Sequence, residues 1–483
     1  MFFSYKTTMT LNCRKKNKIL CEALSISHSI PIPNVTGCWL FTEIYQLVQE
    51  NPCDKTTLKD IQRTDDLNIR LEQRGEFVTW SLLESNKLRS RKGEPHNRLG
   101  IWKPVLADEK LISWQLLLAD YANINTGIIQ VLETDSCGDP VILWVDIFET
   151  YSSPTDPSQT QGVTRGILVR EGYKNITNTR HRFTPPNISG LWIFADRYVI
   201  VDDNLKREAT LKDITRVDDV PVKVKQLGEF VTWKLLETSD HNPVLLNRLG
   251  IWNPKLVNSK LVGWQLLLAD YDDTNIGFLQ VLEVGNCDKP DKPDKLSVIL
   301  FESFTSPINP LQAQTVSTGT MIRIKNNKLS SSKRDNLPSP PDISGRWFLT
   351  NHYSIIDDPN INPTVCDIAK RADVPVKIKQ KGRFITWKFL ETSEQFGILR
   401  NRLGVWNPNL INCEVIGWEV VLADWDDTNF AFIQVLETDE CGKPVKLILD
   451  LTESLTAGIS NAIEGLGEFQ AQTASRGIVF RQK

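Results

Sequence analysis

Five polar positions recur three times along the chain, and any chemistry the protein performs would draw on them. Glu84, Glu237 and Glu391 form one set, and Arg98, Arg248 and Arg402 stand in an Asn-Arg-Leu-Gly motif. Asp120, Asp270 and Asp424 end a long apolar run. Gln130, Gln280 and Gln434 come ten residues later, with Glu133, Glu283 and Glu437 three further on. Two carboxylates flanking one bond could act as acid and base on a glycosidic linkage. The bland alternative is a network of Arg with Asp and Glu that fixes loops, and the spacing singles out no reacting pair. Asp270, Asp272, Asp273 and Asn275, repeated as Asp424, Asp426, Asp427 and Asn429, have the oxygen density of a calcium loop. The Gly and the bidentate Glu of such a loop are missing, so an Asx-rich hairpin turn is expected instead of a metal site.

None of the five His, at 28, 96, 181, 241 and 352, sits at an equivalent place in all three copies. That argues against a repeated His-dependent triad or a His-ligated metal. No Gly-rich phosphate loop is present. The expectation is therefore a protein that is not an enzyme, with no catalytic residue, no metal and no cofactor. One aromatic set remains as a binding candidate. Trp102, Trp252 and Trp406 stand in a Gly-Ile/Val-Trp-x-Pro motif close to the recurrent Arg. An exposed aromatic face beside guanidinium and amide groups suits stacking on a sugar, whereas a core Trp is the plainer use of the same residue. With Arg98, Arg248, Arg402, Asp120, Asp270 and Asp424, these Trp form the candidate ligand-binding set.

The elements that must position these residues come in three copies. Gly37-Cys38-Trp39 returns as Gly190-Leu191-Trp192 and Gly345-Arg346-Trp347. Gly75-Glu76-Phe77-Val78-Thr79-Trp80 returns at 228–233 and, as Gly-Arg-Phe-Ile-Thr-Trp, at 382–387. The period of about 150–155 residues is that of a whole domain. Residues 1–30 form an extension, 31–174 the first repeat, 185–325 the second and 341–483 the third, with polar, Pro-containing linkers between. Within the middle copy, Val220–Gln226 alternates apolar residues with Lys, and Leu227-Gly228 is a tight-turn signal. Tyr198–Val201 reads as a short strand of its own, and Thr210–Ile214 as a capped helical turn. Eight or nine short strands per copy, with no long helices, predict an all-β fold of three tandem antiparallel barrels, since closure removes sticky edges.

The Gly-x-Trp on the first strand resembles the start of the lipocalin and calycin barrels, where a basic residue of the last strand packs across the Trp. Arg170, Arg323 and Arg481 lie 131, 131 and 134 residues after Trp39, Trp192 and Trp347. The resemblance implies three structural clamps made by these pairs. The segments Ala119-Asp120-Tyr121, Ala269-Asp270-Tyr271 and Ala423-Asp424-Trp425 are similar to the acidic-aromatic turn of that superfamily. Avidin-like barrels share the Gly-x-Trp start, so both subfamilies stay open.

With Lys plus Arg at 56, Asp plus Glu at 59 and a net charge of −3, nothing drives the chain toward nucleic acid or anionic membrane. No apolar run approaches the length of a membrane helix, and the first twenty residues are broken by Lys6, Thr7 and Thr8 where a signal peptide would be apolar. Nine scattered Cys without a CxxC predict reduced thiols and an intracellular, cytoplasmic setting, or a particle assembled there. Asn34, Asn175 and Asn187 stand in sequons that would matter only on secretion. The expected function is a tandem binding protein with a small apolar or carbohydrate ligand in each barrel; the alternative is a structural, self-associating protein with filled barrels and protein-binding outer faces. Val262–Leu268 and Phe278–Leu282 are apolar on both faces, which predicts outer surfaces covered by neighbouring barrels or by protein partners.

Overall fold

The structure is a computed structural model that describes residues 30–49, 56–83, 98–120, 124–152, 159–173, 183–202, 209–236, 247–269, 274–284, 293–305, 312–325, 328–329, 337–357, 364–390, 402–411, 414–423, 428–457 and 469–482. Each copy closes into an antiparallel barrel of eight long strands. In the first copy they are Gly37–Gln49, Leu67–Arg74, Phe77–Leu82, Arg98–Ala107, Lys110–Asp120, Ile124–Thr134, Pro140–Ser152 and Gln159–Arg170. Each strand pairs with the next, and the eighth returns to the first. The second barrel runs from Gly190 to Lys325 and the third from Gly345 to Arg481 with the same order. Among the described residues no helix is long and apolar enough to cross a membrane.

The expected separate strand at Tyr198–Val201 is part of one 13-residue strand, Gly190–Asp202. A register shift between Ala195 and Tyr198 breaks the pattern, with Asp196 at φ 49°. Glu43 and Asn351 repeat the bulge at φ 51° and 48°. The extra residue bends the strand so that it can follow the barrel wall. The capped turn is present: Thr210 Oγ1 donates to Asp213 Oδ2 at 2.8 Å, and in the first barrel the equivalent Leu58–Asp60 is a one-turn 3-10 helix capped by Thr57.

Strand alternation divides each barrel's residues between two cores. Along Arg98–Ala107, Trp102 faces the lumen and packs with Trp39, Trp80 and Leu116, whereas Leu99 and Ile101 face outward. Gly100 is on the lumen side, where a Cβ would stand 2.7 Å from Leu118 Cδ2; Gly250 and Gly404 meet the same obstacle. The outward residues are not in solvent. Leu99, Ile101, Leu117 and Ile128 join Leu249, Ile251, Leu267 and Phe278, and Leu403, Val405, Val421 and Phe432, in one buried cluster drawn from all three copies. The chain is thus a ring of three barrels around a shared apolar core, and this explains the strands that are apolar on both faces.

Candidate functional site: the barrel ends, the interfaces and the axial junction

At one end of each barrel the Gly-x-Trp residue and the last-strand Arg meet. Trp39 and Arg170, Trp192 and Arg323, and Trp347 and Arg481 are cross-strand partners. The guanidinium carbons lie 4.9, 4.4 and 4.5 Å from the ring centroids. Each indole N–H donates to a carbonyl four residues upstream, at 2.8 Å in every copy. Arg323 also donates to Ser189 O, Asn187 O and Pro293 O, and Arg481 to Ser344 O, Asp342 O and Pro444 O. The guanidinium therefore ties the entering chain to the last two strands and closes that end.

Trp102, Trp252 and Trp406 sit elsewhere from where a sugar platform needs them. All three are 0% exposed, inside their own barrels. The exposed-face expectation is corrected: alternation turns this position inward, and the partners are other core side chains. Their Nε1 atoms have no hydrogen-bond partner in any of the three copies. Arg98, Arg248 and Arg402 start the same strands and lie across from Trp80, Trp233 and Trp387. Backbone register also sets Arg98 opposite Asp120. Asp270, Asp424, Glu84, Glu237, Glu391 and the acidic turns that follow the long strands lie outside the described residues. The recurrent Arg and Trp therefore share a lumen, with no opening to solvent at the Trp.

The polar residues that matter most for the assembly face outward, into the barrel interfaces. Gln161 Oε1 accepts from Leu249 N at 3.2 Å, Gln314 Oε1 from Leu403 N at 3.0 Å, and Gln472 Oε1 from Leu99 N at 3.0 Å. These bonds run from the first barrel to the second, the second to the third and the third to the first. A second set follows the same direction. Gln130 Nε2 donates to Asn253 Oδ1 at 2.5 Å and to Pro254 O. Gln280 Nε2 donates to Asn407 Oδ1 at 2.7 Å and Pro408 O at 2.6 Å, and Gln434 Nε2 to Pro104 O at 2.8 Å. Gln130, Gln280 and Gln434 were visible as recurrent positions. Gln161, Gln314 and Gln472 escaped the sequence reading, although each closes a Gln-x-Gln at 159–161, 312–314 and 470–472.

A buried ion network departs from threefold repetition. Arg165 bonds Asp146 Oδ1 through Nε at 2.7 Å and donates to Trp252 O of the second barrel, with Glu229 3.9 Å away. Arg476 repeats this with Asp450 at 2.6 Å, Trp102 O and Glu76 at 3.4 Å. Burial pushes the Asp146, Asp450 and Glu76 carboxyls up, opposed by the arginine beside each. At the second-to-third interface the equivalents are Thr318 and Ile299, and Arg383 stands where Glu76 and Glu229 stand elsewhere. Arg383 Nε donates to Trp406 O at 3.0 Å. The same carbonyl is met by a guanidinium at all three interfaces, supplied from the opposite side at one of them.

Where the fourth and fifth strands of the three barrels converge, a cavity of about 40 Å³ is lined by Lys103, Gln115, Gln130, Lys255, Gln265 and Glu419, among others. Lys103 Nζ is 2.5 Å from Glu419 Oε2, and both are buried. Lys255 Nζ donates to Gln280 Oε1 at 2.7 Å, and burial lowers its pKa to about 8. A hairpin contact, Asp108 N to Ile416 O at 2.9 Å, joins the first and third barrels beside it.

The cysteine expectation is also corrected. Cys38, Cys137 and Cys441 are free, but Cys366 is disulfide-bonded, to a cysteine outside the described residues. Sequence spacing could not reveal the pairing, because a disulfide depends on which Cys the fold brings within reach. The argument for a reducing, intracellular compartment rested on unpaired thiols and loses that support.

No family model matches the chain, and no curated protein matches it. Two solved structures are similar in part. One is a putative outer membrane protein from Bacteroides fragilis, at 10% identity and TM-score 0.12, covering 59% of this chain and 97% of that one. The other is a double mutant of the vaccine antigen Transferrin Binding Protein B from Haemophilus parasuis, at 8% identity and TM-score 0.13, covering 95% of this chain and 79% of that one. At these scores neither likeness carries an argument about this chain, whose fold rests on its own three closed barrels.

Proposed function

We propose that the protein is a non-enzymatic assembly unit: three filled barrels locked as one block, whose outer faces bind protein. The observation that carries this reading is the partition of apolar surface. The described lumen side chains are packed against one another, and the apolar outer faces pack on the other two barrels. The outward faces that remain mix polar residues with exposed apolar ones such as Leu191, Leu227, Phe348 and Phe480, and two of them carry a pattern that favours an acidic partner. Lys223 lies directly opposite Lys234, and Lys377 is flanked by Lys388 and Arg346. Like charges side by side on a sheet destabilise it, and an anionic surface would relieve the repulsion.

The second reading keeps a small ligand in each barrel. It is favoured by the buried N–H of Trp102, Trp252 and Trp406, without acceptors in all three copies. Native mass spectrometry of the full chain separates the two. A mass equal to that of the polypeptide, with assemblies in light scattering that are lost in a K377E/K388E variant, supports the assembly unit. One to three equal small-molecule increments above the polypeptide mass would replace it with the ligand reading.

A further inference from the structure

The axial cavity holds an imbalance of charge that the assembly role does not explain. Its titratable groups come from all three barrels: Lys103 from the first, Lys255 from the second and Glu419 from the third. Lys103 and Glu419 neutralise each other at 2.5 Å, and Asn407 Nδ2 donates to the second carboxylate oxygen at 3.1 Å. That leaves Lys255. Its hydrogen bond is to a neutral amide, Gln280 Oε1, which uses one of its three donors. The equivalent positions in the other barrels are Val105 and Asn409, so the fold does not need a cation there. Lys255 is half-buried and the one carboxylate in the described lining, Glu419, is shared with Lys103, so one unit of positive charge is left over, and an anion beside a partly desolvated cation lowers its cost. A cavity of about 40 Å³ is larger than the roughly 10–15 Å³ that one water needs.

We propose that this junction is a binding site for a small monovalent anion, chloride or a planar oxyanion of the nitrate or formate class, held by Lys255 Nζ against the side chains of Gln115 and Gln265. The residual charge of one unit selects a monovalent ion, and the volume excludes sugar acids and phosphate esters. Because the walls come from three barrels, the site exists only in the closed ring, and occupancy stabilises the ring by mass action. At neutral pH Lys255, with its pKa of about 8, is still mostly protonated, so the site is charged under ordinary conditions.

The test is thermal unfolding of the full chain in sodium nitrate and in sodium gluconate at equal ionic strength, with gluconate as the ion too large to enter. The midpoint is expected to rise saturably with nitrate but not with gluconate. K255M should raise the half-saturating nitrate concentration at least tenfold. E419Q, which leaves Lys103 without its carboxylate, should lower it. Bromide-soaked crystals should show an anomalous peak beside Lys255 Nζ, which reads the site even where a variant fails to fold. Identical responses to nitrate and gluconate in the wild type, an unchanged nitrate response in K255M, or water alone at the bromide position would overturn the proposal.

Discussion

Replacing Arg476 by Thr places at the third-to-first interface the residue that the second barrel already uses at 318. Arg476 is 2% exposed and bonds Asp450, itself 0% exposed, at 2.6 Å; it also contacts Glu76 and the carbonyl of Trp102. Removing it leaves two carboxyls and a carbonyl without their cation. Breaking one buried pair costs about 3–5 kcal/mol, so R476T should lose about that much in urea unfolding followed by far-UV circular dichroism. The second-to-third interface supplies the rescue. There Ile299, Thr318 and Arg383 do together what Asp450, Arg476 and Glu76 do at the other site. The triple variant E76R/D450I/R476T should therefore recover most of the loss, to within about 1 kcal/mol of wild type, because an ion pair and a well-packed apolar substitute are often close in energy. A loss below about 1 kcal/mol for R476T, or a triple variant no more stable than R476T, would refute the account of the switched arginine.

Three further outcomes follow from the geometry. W192A should destabilise by about 3–5 kcal/mol, and R323A should couple to it in a double-mutant cycle, because the two side chains are 4.4 Å apart. Burial, with Arg371 and Arg402 nearby, lowers the pKa of His352 to about 4 from 6.5. Its stability contribution is therefore complete above pH 6.5 and lost as pH falls through 6.5 toward 4, by at most about 3 kcal/mol; H352N should flatten that limb of a stability–pH profile measured by chemical denaturation. Peptide mapping without reductant should recover Cys366 in a linked peptide, with Cys38, Cys137 and Cys441 alkylated.

The repeats, the strands and the Trp–Arg clamps were legible because each depends on local pattern: a Gly-x-Trp, an alternation, a spacing of about 131 residues. The shared core was half legible. Val262–Leu268 showed that an outer face is covered, but only the ring shows that the cover is the protein itself. The direction of Trp102 was not legible, since apolar residues on both faces remove the contrast by which lumen and exterior are told apart. Lys103, Lys255 and Glu419 were invisible for a different reason. They stand at three unrelated repeat positions, and a search for recurrence passes over residues whose meaning is that they do not recur.

The switched arginine also determines which barrels could sit beside copies of themselves. The last strand of each barrel offers one residue to its neighbour, and the second-strand turn of each accepts one: Arg165 and Glu76 in the first, Thr318 and Glu229 in the second, Arg476 and Arg383 in the third. Three copies of the first barrel would match an arginine to a glutamate at every contact. Three of the second would bury glutamates with no cation, and three of the third would set arginine against arginine. The cyclic order first, second, third is the arrangement in which all three barrels are used and every guanidinium has its carbonyl. The order is therefore written into the contact surfaces, and cutting both linkers should leave a ring that reassembles in one sequence only.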